Sequence, residues 1–223
     1  MALKNFNGKT FVAFIDISGF KEMMKKETAG KALKDFFSIG FSVLRQDENQ
    51  NISGVFISDC GIIYHSEATK SIQEKLKDIL RVIEQINSKM IEKNYVLTSS
   101  IAYGDFEYQD KIELNNMSKN AFQGNAYLDA YIDNEYTTPK LKVGECRLLI
   151  NDELKNELRN TNLQIPKLKE SGKHYYFYWM LNGDETIESY DNKIKNINNR
   201  YSTKTNQIRD EKFEELKKVI KGA

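Results

Sequence analysis

Residues 11–20 read Phe-Val-Ala-Phe-Ile-Asp-Ile-Ser-Gly-Phe, and this stretch is the strongest indication of the fold. Its first five residues form an unbroken apolar run, which is typical of a strand buried on both faces. Asp16 ends the run, Gly19 predicts a turn, and a helical pattern begins directly after it. A carboxylate at the end of a buried strand, followed by a turn and a helix, suits a site for a divalent metal ion and phosphate groups.

A second carboxylate follows at a similar place. Residues 53–65 read Ser-Gly-Val-Phe-Ile-Ser-Asp-Cys-Gly-Ile-Ile-Tyr-His, and the two apolar runs predict a β-hairpin with Asp59 at its tip. Alone, Asp16 is better explained as a solvated residue at a strand end. Two such residues favour a site for paired divalent ions, which lie about 3.5–4 Å apart in phosphoryl-transfer enzymes.

These stretches resemble the class III nucleotidyl cyclases. Residues 14–20 match the first signature of that class, Phe-x-Asp-Ile-x-Gly-Phe, at every specified position, and Ser58-Asp59 stands where the class has a hairpin Asp, usually after Gly. The resemblance spans about residues 9–181. Within the class, the chain looks most like the stand-alone pyrimidine cyclases of the bacterial Pycsar antiphage system. The closer similarity rests on Ser58-Asp59, on Ile-Ala-Tyr-Gly at 101–104 and on Gly-x-Ala-x-x-x-Ala-Tyr at 124–131.

The order of elements predicts the fold. A strand, a helix, a hairpin, a second long helix and a further strand form the βαββαβ pattern of a ferredoxin-like α+β sandwich. The resemblance implies the same core, an antiparallel-rich sheet with helices on one face. We assign residues 1–181 to a cyclase catalytic domain and 182–223 to a polar linker and a charged C-terminal helix, packed on the domain or on a partner subunit. Residues 109–120 read as a polar loop and 192–206 as a loop or weak helix.

The composition narrows the class of protein. The chain has 223 residues, 40% of them hydrophobic, and a net charge of +1, which indicates neither nucleic-acid nor membrane binding. No apolar stretch approaches the roughly 20 residues that span a bilayer, so no direct membrane insertion is expected. The two cysteines, Cys60 and Cys146, form no CxxC motif and fit a reducing cytosol. We therefore expect a cytoplasmic protein.

The resemblance implies a reaction and a cofactor. A cyclase joins the 3′-hydroxyl of a nucleoside triphosphate to its own α-phosphate and expels pyrophosphate, with two divalent ions, Mg²⁺ or Mn²⁺, at the site. By resemblance, Asp16 and Asp59 are the catalytic residues that bridge both ions, and the carbonyl of Ile17 adds a ligand. The backbone amides expected to bind the phosphates are those of Ser18, Gly19 and Phe20.

A cation should also meet the triphosphate. Lys169 and Lys173 precede the last strand, where cyclases often place a phosphate-binding lysine, and we favour Lys173, although a solvated surface lysine is an equally good reading. One departure from the family concerns residues 124–132. Mononucleotide cyclases carry an Asn and an Arg four residues apart on this helix, and this stretch has no Arg. Another cation must then meet the transition-state charge, or the rate is low, or the domain is inactive.

The residues expected around the base predict the substrate. Four residues before the hairpin Asp, adenylyl cyclases have Lys and guanylyl cyclases have Glu, whereas this chain has Val55, which offers the base no hydrogen bond. Val55 and Ile57 predict an apolar wall, while Tyr103 and Tyr127 could fill space and meet the edge of a small base with their hydroxyls. We therefore predict cyclic UMP or cyclic CMP as the product, with a slight preference for cyclic UMP.

The resemblance also implies partners. It implies a head-to-tail homodimer with its sites at the interface, and a cyclic nucleotide that acts as a second messenger in antiphage defence and is sensed by a separate effector protein. Two alternatives remain open: a purine cyclase that uses ATP or GTP, and a catalytically inactive cyclase-like domain that binds nucleotide or dimerises. A diguanylate cyclase would need a Gly-Gly-Asp/Glu-Glu/Asp-Phe hairpin, which the residues around Asp59 do not form.

Overall fold

The central strand β1 (Phe6–Ile17) is buried without interruption from residue 10 to residue 15. Alternate side chains of this run point to opposite faces of the sheet, so both faces must be covered. The computed structural model describes residues 3, 5–67, 69–114, 117–159, 163–182 and 185–200, without the side chains of residues 47, 110–114, 117–120 and 197–200.

The strands form one mixed sheet. Besides β1 it contains β2 (Ile52–Ile57), β3 (Cys60–His65), β4 (Leu97–Leu114), β5 (Met117–Gln123), β6 (Cys146–Leu149), β7 (Leu168–Ser171) and β8 (His174–Phe177). Their order is β2-β3-β1-β4-β6-β8-β7, and β5 pairs with β4 off this path. Only the β4–β6 pair is parallel among the described strands. The predicted antiparallel-rich α+β sandwich is confirmed.

Two long helices cover one face of the sheet. They are α2 (Ala29–Leu44), which follows the short α1 (Phe20–Lys25), and α3 (Ile72–Glu92). Ser71 and Glu74 form a reciprocal capping box at the N-terminus of α3, so the helix begins directly after Ser71. The apolar stripe of α3 packs on the odd-numbered residues of β1; its buried members include Leu76, Ile79, Leu80, Ile83 and Ile86.

The other face is covered by α4 (Asn125–Glu135), whereas helices were expected on one face of the sheet. Ala126 and Ala130 are fully buried against the even-numbered residues of β1, including Phe14. Gly124, with φ of 125°, starts the helix so close to β4 that a Cβ atom there would overlap the Asp105 carbonyl. Small residues therefore let α4 approach the sheet closely.

The C-terminal part continues with α5 (Asp152–Leu158) and α6 (Ile187–Arg200). Tyr190 and Ile194 of α6 are buried in the core on the face of α2 and α3, so a helix occupies part of the stretch read as a loop or weak helix. Residues 109–114 and 117–120, where a polar loop was expected, likewise belong to the paired strands β4 and β5. The assigned boundary between 181 and 182 stays a prediction, and residues 201–223 lie outside the described residues. Within the described ranges, every helix is too short or too polar to span a membrane.

Candidate active site

The end of β1 and the tip of the β2–β3 hairpin lie side by side. The amide of Ile17 donates a hydrogen bond to the carbonyl oxygen of Asp59 at 3.0 Å, and Asp16 is paired across the strands with Cys60. The hairpin turns on two residues, and Ser58 takes a positive φ of 54°. This arrangement brings the two predicted metal-binding carboxylates together over one end of the sheet.

Electrostatics single out Asp16. Burial, with the negative charges of Asp59 and Glu135 adding to it, raises the pKa of Asp16 to about 8. The same groups act on Cys60, where burial first and these carboxylates second raise the thiol pKa to about 11. Among the ion pairs of the described residues, none involves Asp16 or Asp59. Ionisation of Asp16 beside Asp59 is therefore unfavourable in the protein alone, and a bound cation would favour it.

A divalent ion fits this donor set. The described residues contain no group of three or more His, Cys, Asp or Glu side chains placed to hold a metal, so protein side chains alone would not enclose the ion. Mg²⁺ is commonly bound by one or two carboxylates together with waters and substrate phosphates. Asp16 and Asp59, with the Ile17 carbonyl expected from the sequence, would form such an open, all-oxygen set.

The turn between β1 and α1 corrects one expectation. The amide of Ser18 donates to the carbonyl of Val96 at 3.0 Å, so it is already bonded and does not face a phosphate. Gly19 adopts φ of 80°, a left-handed conformation that reverses the chain into α1. Phe20 is 5% exposed and packs in the core, as its apolar side chain predicts. Only the amides of Gly19 and Phe20 remain candidates for the phosphates.

The predicted base pocket is only partly assembled in one chain. Val55 and Tyr127 belong to the same apolar cluster, on the face of the sheet that also carries Asp16. Val55 is 6% exposed, so within one chain it is a core residue and forms no open wall, whereas Ile57 is 46% exposed. Tyr103 was placed wrongly, because it pairs with Phe11 and packs on the opposite face of the sheet.

Lys173 does not reach the carboxylates of its own chain. It precedes β8, and the pairing of Leu149 with His174 puts this turn three strands from β1 and about four residues from the level of Asp16. Standard strand spacings convert this into roughly 14 Å across the sheet and 13 Å along it. Lys169 lies on the edge strand β7, further away still. A phosphate-binding role for Lys173 at this site therefore needs a second chain.

Helix α4 contributes two residues to the site that were not predicted from the sequence. Asn134 joins the strands beside Asp16, since its Nδ2 donates to the Phe14 carbonyl at 3.5 Å and its Oδ1 accepts from Thr98 Oγ1 at 3.3 Å. Glu135 is near enough to raise the pKa of Asp16. No spacing in the sequence signals these neighbours, because their position depends on how α4 crosses the sheet. Arg147, which β6 brings against α4, is fully buried and does not supply the missing cation.

Comparison with solved structures places this geometry in a known fold. The guanylyl cyclase Cya2 is 14% identical, with a TM-score of 0.54 over 79% of this chain and 93% of that one. A bacterial light-regulated adenylyl cyclase is 12% identical, with a TM-score of 0.58 over 87% of this chain and 59% of that one. The guanylate cyclase domain of RhGC from Catenaria anguillulae, solved with GTP, is 14% identical, with a TM-score of 0.52 over 78% and 97%.

The chain has the class III cyclase fold. No protein-family model matches the sequence, and no curated protein matches it. At these identities the likeness shows the fold.

Proposed function

We propose that the chain is a nucleotidyl cyclase that converts a pyrimidine nucleoside triphosphate, UTP or CTP, into its 3′,5′-cyclic monophosphate and pyrophosphate. One observation carries the proposal. Asp16 and Asp59, two carboxylates without an ion-pair partner in the described structure, meet at adjoining strand ends in a fold shared with adenylyl and guanylyl cyclases. A mostly buried carboxyl group with a second one beside it is difficult to explain in a domain that only dimerises.

The residues of the chain would act as follows. Asp16, Asp59 and the Ile17 carbonyl would hold two divalent ions, Mg²⁺ or Mn²⁺, and the amides of Gly19 and Phe20 would bind phosphate oxygens. When bound, such ions lower the pKa of a hydroxyl and neutralise phosphate charge. The 3′-oxygen forms a bond to the α-phosphorus while the α–β phosphoanhydride bond breaks. Pyrophosphate leaves with the bonding electron pair, and the hydroxyl proton passes to water.

A homodimer would complete the site. Lys173 is too distant to serve the carboxylates of its own chain, whereas in a two-fold dimer each chain could lend it to the other. The outer face of α4 exposes 51% of Leu128 and 42% of Ile132, and Ile57 beside the site is 46% exposed. These apolar side chains support a partner surface at the site. One solved neighbour, 12% identical with a TM-score of 0.53, is described as a non-canonical dimeric guanylyl cyclase domain.

The preference for a pyrimidine rests on the position of Val55. This residue presents neither the cation nor the carboxylate with which purine cyclases read the base, and it is closed off in a packed cluster. Tyr127 is half-buried beside it and packs edge-on against Phe122 at 4.9 Å. Without a cation or carboxylate at this position, recognition of the base would depend on neutral groups such as the Tyr127 hydroxyl, which suits a single ring with hydrogen-bonding edges better than a purine.

The biological role follows from the same resemblance. We propose that the cyclic pyrimidine nucleotide is a second messenger in antiphage defence and acts on a separate effector protein. Both cysteines have free thiols, which agrees with the reducing cytoplasm in which such a messenger would act.

The test is a comparison of all four nucleoside triphosphates. Purified protein is incubated with ATP, GTP, CTP or UTP and Mn²⁺, and the products are separated and identified by mass. The proposal expects cyclic UMP or cyclic CMP to dominate. Cyclic AMP or cyclic GMP as the main product would leave a purine cyclase, and no cyclic product from any of the four would favour the inactive domain.

A further inference from the structure

A buried polar cluster joins one flank of α4 to three strands. Its members are Asp133 of α4, Ser100 of β4, Arg147 of β6 and His174 of β8, and none is more than 4% exposed. We refer to these four residues as the Asp133 cluster. Arg147 is the largest fully buried side chain of the described residues. A buried charged group of this size requires a structural or functional reason.

All three donor side chains of the cluster contact one carboxylate. Asp133 accepts from Ser100 Oγ at 2.5 Å, from Arg147 Nε and Nη2 at 2.8 and 3.0 Å, and from His174 Nε2 at 2.8 Å. Arg147 also donates to the main-chain carbonyls of Asp133, at 2.9 Å, and of Pro139, at 2.7 Å. Although burial opposes it, hydrogen bonds from His174, Arg147 and Ser100 hold the pKa of Asp133 below its usual value.

This geometry restricts how α4 can move over the sheet. The guanidinium fork is planar and rigid, and the other two donors come from different strands. A shift of α4 along or across the sheet would therefore stretch several charge-assisted hydrogen bonds at once. Buried ion pairs add little to net stability but can select one arrangement among several.

A second hydrogen-bonded contact lies on the same flank of α4. Asp129, one helical turn before Asp133, accepts from Asn151 Nδ2 at 2.9 Å, and the same nitrogen donates to the Tyr103 carbonyl at 2.8 Å. The opposite flank of α4 makes aromatic contacts, such as that between Tyr131 and Phe14 at 5.3 Å. Aromatic packing tolerates sliding better than hydrogen bonds do, so the acidic flank sets the position of the helix.

We propose that Asp133, Arg147 and His174 are positioning residues, which hold α4 in the one setting that places Asn134 and Glu135 beside Asp16. They touch no substrate and act through the helix. The kinetic part of this inference rests on the proposed cyclase function, whereas its structural part does not.

The variants are chosen so that the chain still folds. Asp133→Asn would leave the Arg147 charge buried without its partner, and we expect it to unfold the protein. His174→Leu removes one donor and keeps the side-chain bulk, and Ser100→Ala removes a second donor. His174→Gln supplies an amide donor near the position of Nε2 and should restore the contact.

The chain offers a matched control. His65 is also fully buried, and its Nε2 lies 3.3 Å from Asp78 of α3, on the opposite face of the sheet and at the other end of β3 from Asp16. His65→Leu therefore removes the same type of contact at a similar burial without touching α4.

Two measurements decide the inference. Hydrogen exchange should become about tenfold faster or more in residues 125–135 of His174→Leu and Ser100→Ala, relative to α2, because a local hydrogen bond to a charged group is lost. With the nucleotide that wild type converts, kcat should fall about tenfold or more with KM within threefold, since small misplacements are costly to turnover. His174→Gln should recover both values, and His65→Leu should change neither.

Unchanged exchange in α4 for His174→Leu would overturn the inference, as would an equal loss of kcat in His65→Leu. A wild-type protein that makes no cyclic nucleotide would refute the proposed function, and the exchange experiment would still decide whether the Asp133 cluster positions α4.

Discussion

The Ile17 amide and the Asp59 carbonyl are joined by a hydrogen bond of 3.0 Å, which ties the last residue of β1 to the tip of the neighbouring hairpin. The bond is made by the main chain, so it leaves both carboxylates free to act. It also fixes the separation of the two backbone segments that carry them, and the side-chain rotamers then set the distance between the carboxyl groups. The local geometry of the site is therefore built by backbone pairing.

The first prediction concerns the two carboxylates. Asp16→Asn and Asp59→Asn should each lower cyclase activity by about 100-fold or more, because the charge that would hold the metal ions is lost. Asp152→Asn, whose side chain is 93% exposed, is the control and should retain wild-type turnover. Activity is measured as pyrophosphate released, and folding by circular dichroism. A folded Asp59→Asn protein with full activity would refute the assignment.

The second prediction concerns pH and stability without metal. The folded protein holds the pKa of Asp16 at about 8, above the ordinary 3.8, so it binds a proton that the unfolded chain releases. The resulting stability is present at pH 4 and is lost as the pH rises to about 8.

Urea unfolding in EDTA should show this loss in wild type and a smaller one in Asp16→Asn. At pH 8 the variant should be the more stable of the two by about 1 kcal/mol or more. Parallel pH profiles for the two proteins would contradict the high pKa of Asp16.

The third prediction concerns two glycines of α2. A Cβ at Gly40 would overlap the ring of Phe56, whereas a Cβ at Gly30 would meet nothing within 4 Å. Gly40→Ala should lower the free energy of unfolding by about 1–3 kcal/mol through overpacking. Gly30→Ala should raise it by about 0.5 kcal/mol, because alanine is the better helix former. Thermal or urea unfolding of both proteins gives the comparison, and the prediction fails if the two changes have the same sign.

The fourth prediction tests the shared site by mixing. Asp59→Asn and Lys173→Ala alter opposite ends of the sheet, and each should be inactive alone if the two halves of a site come from different chains. After the two proteins are unfolded and refolded together, half of the dimers carry both variants and one intact site each. Activity should then return to about a quarter of wild type. Absence of recovery, despite dimers in light scattering, would refute a site shared between two chains, and full activity of Lys173→Ala alone would show that Lys173 has no part in the site.

The local features of the fold were readable from the sequence. The apolar run of β1, the hairpin around Asp59 and the stripe of α3 are patterns of near neighbours, and the structure contains all three. They were predictable because each depends on spacing within about 20 residues. The pairing of the two strand ends followed from them.

The errors came from relationships between distant segments. Tyr103 faces away from Val55 because β4 pairs with β1 in a register that sets Tyr103 opposite Phe11, and a shift of one residue would have reversed it. The Ser18 amide is bonded to Val96, 78 positions along the chain, which no local motif announces. The Asp133 cluster was missed for the same reason, because its four members come from four elements.

The distance between Lys173 and Asp16 has a consequence for how much protein a cell needs. If the halves of the site lie on different chains, a single chain is inactive. The rate of product formation then rises with the square of the chain concentration as long as most chains are monomeric. A cell could then hold a small standing amount of the chain with almost no signal and obtain a sharp response by doubling it or by bringing two copies together. The threshold would be set by the apolar face of α4, through the affinity of one copy for another.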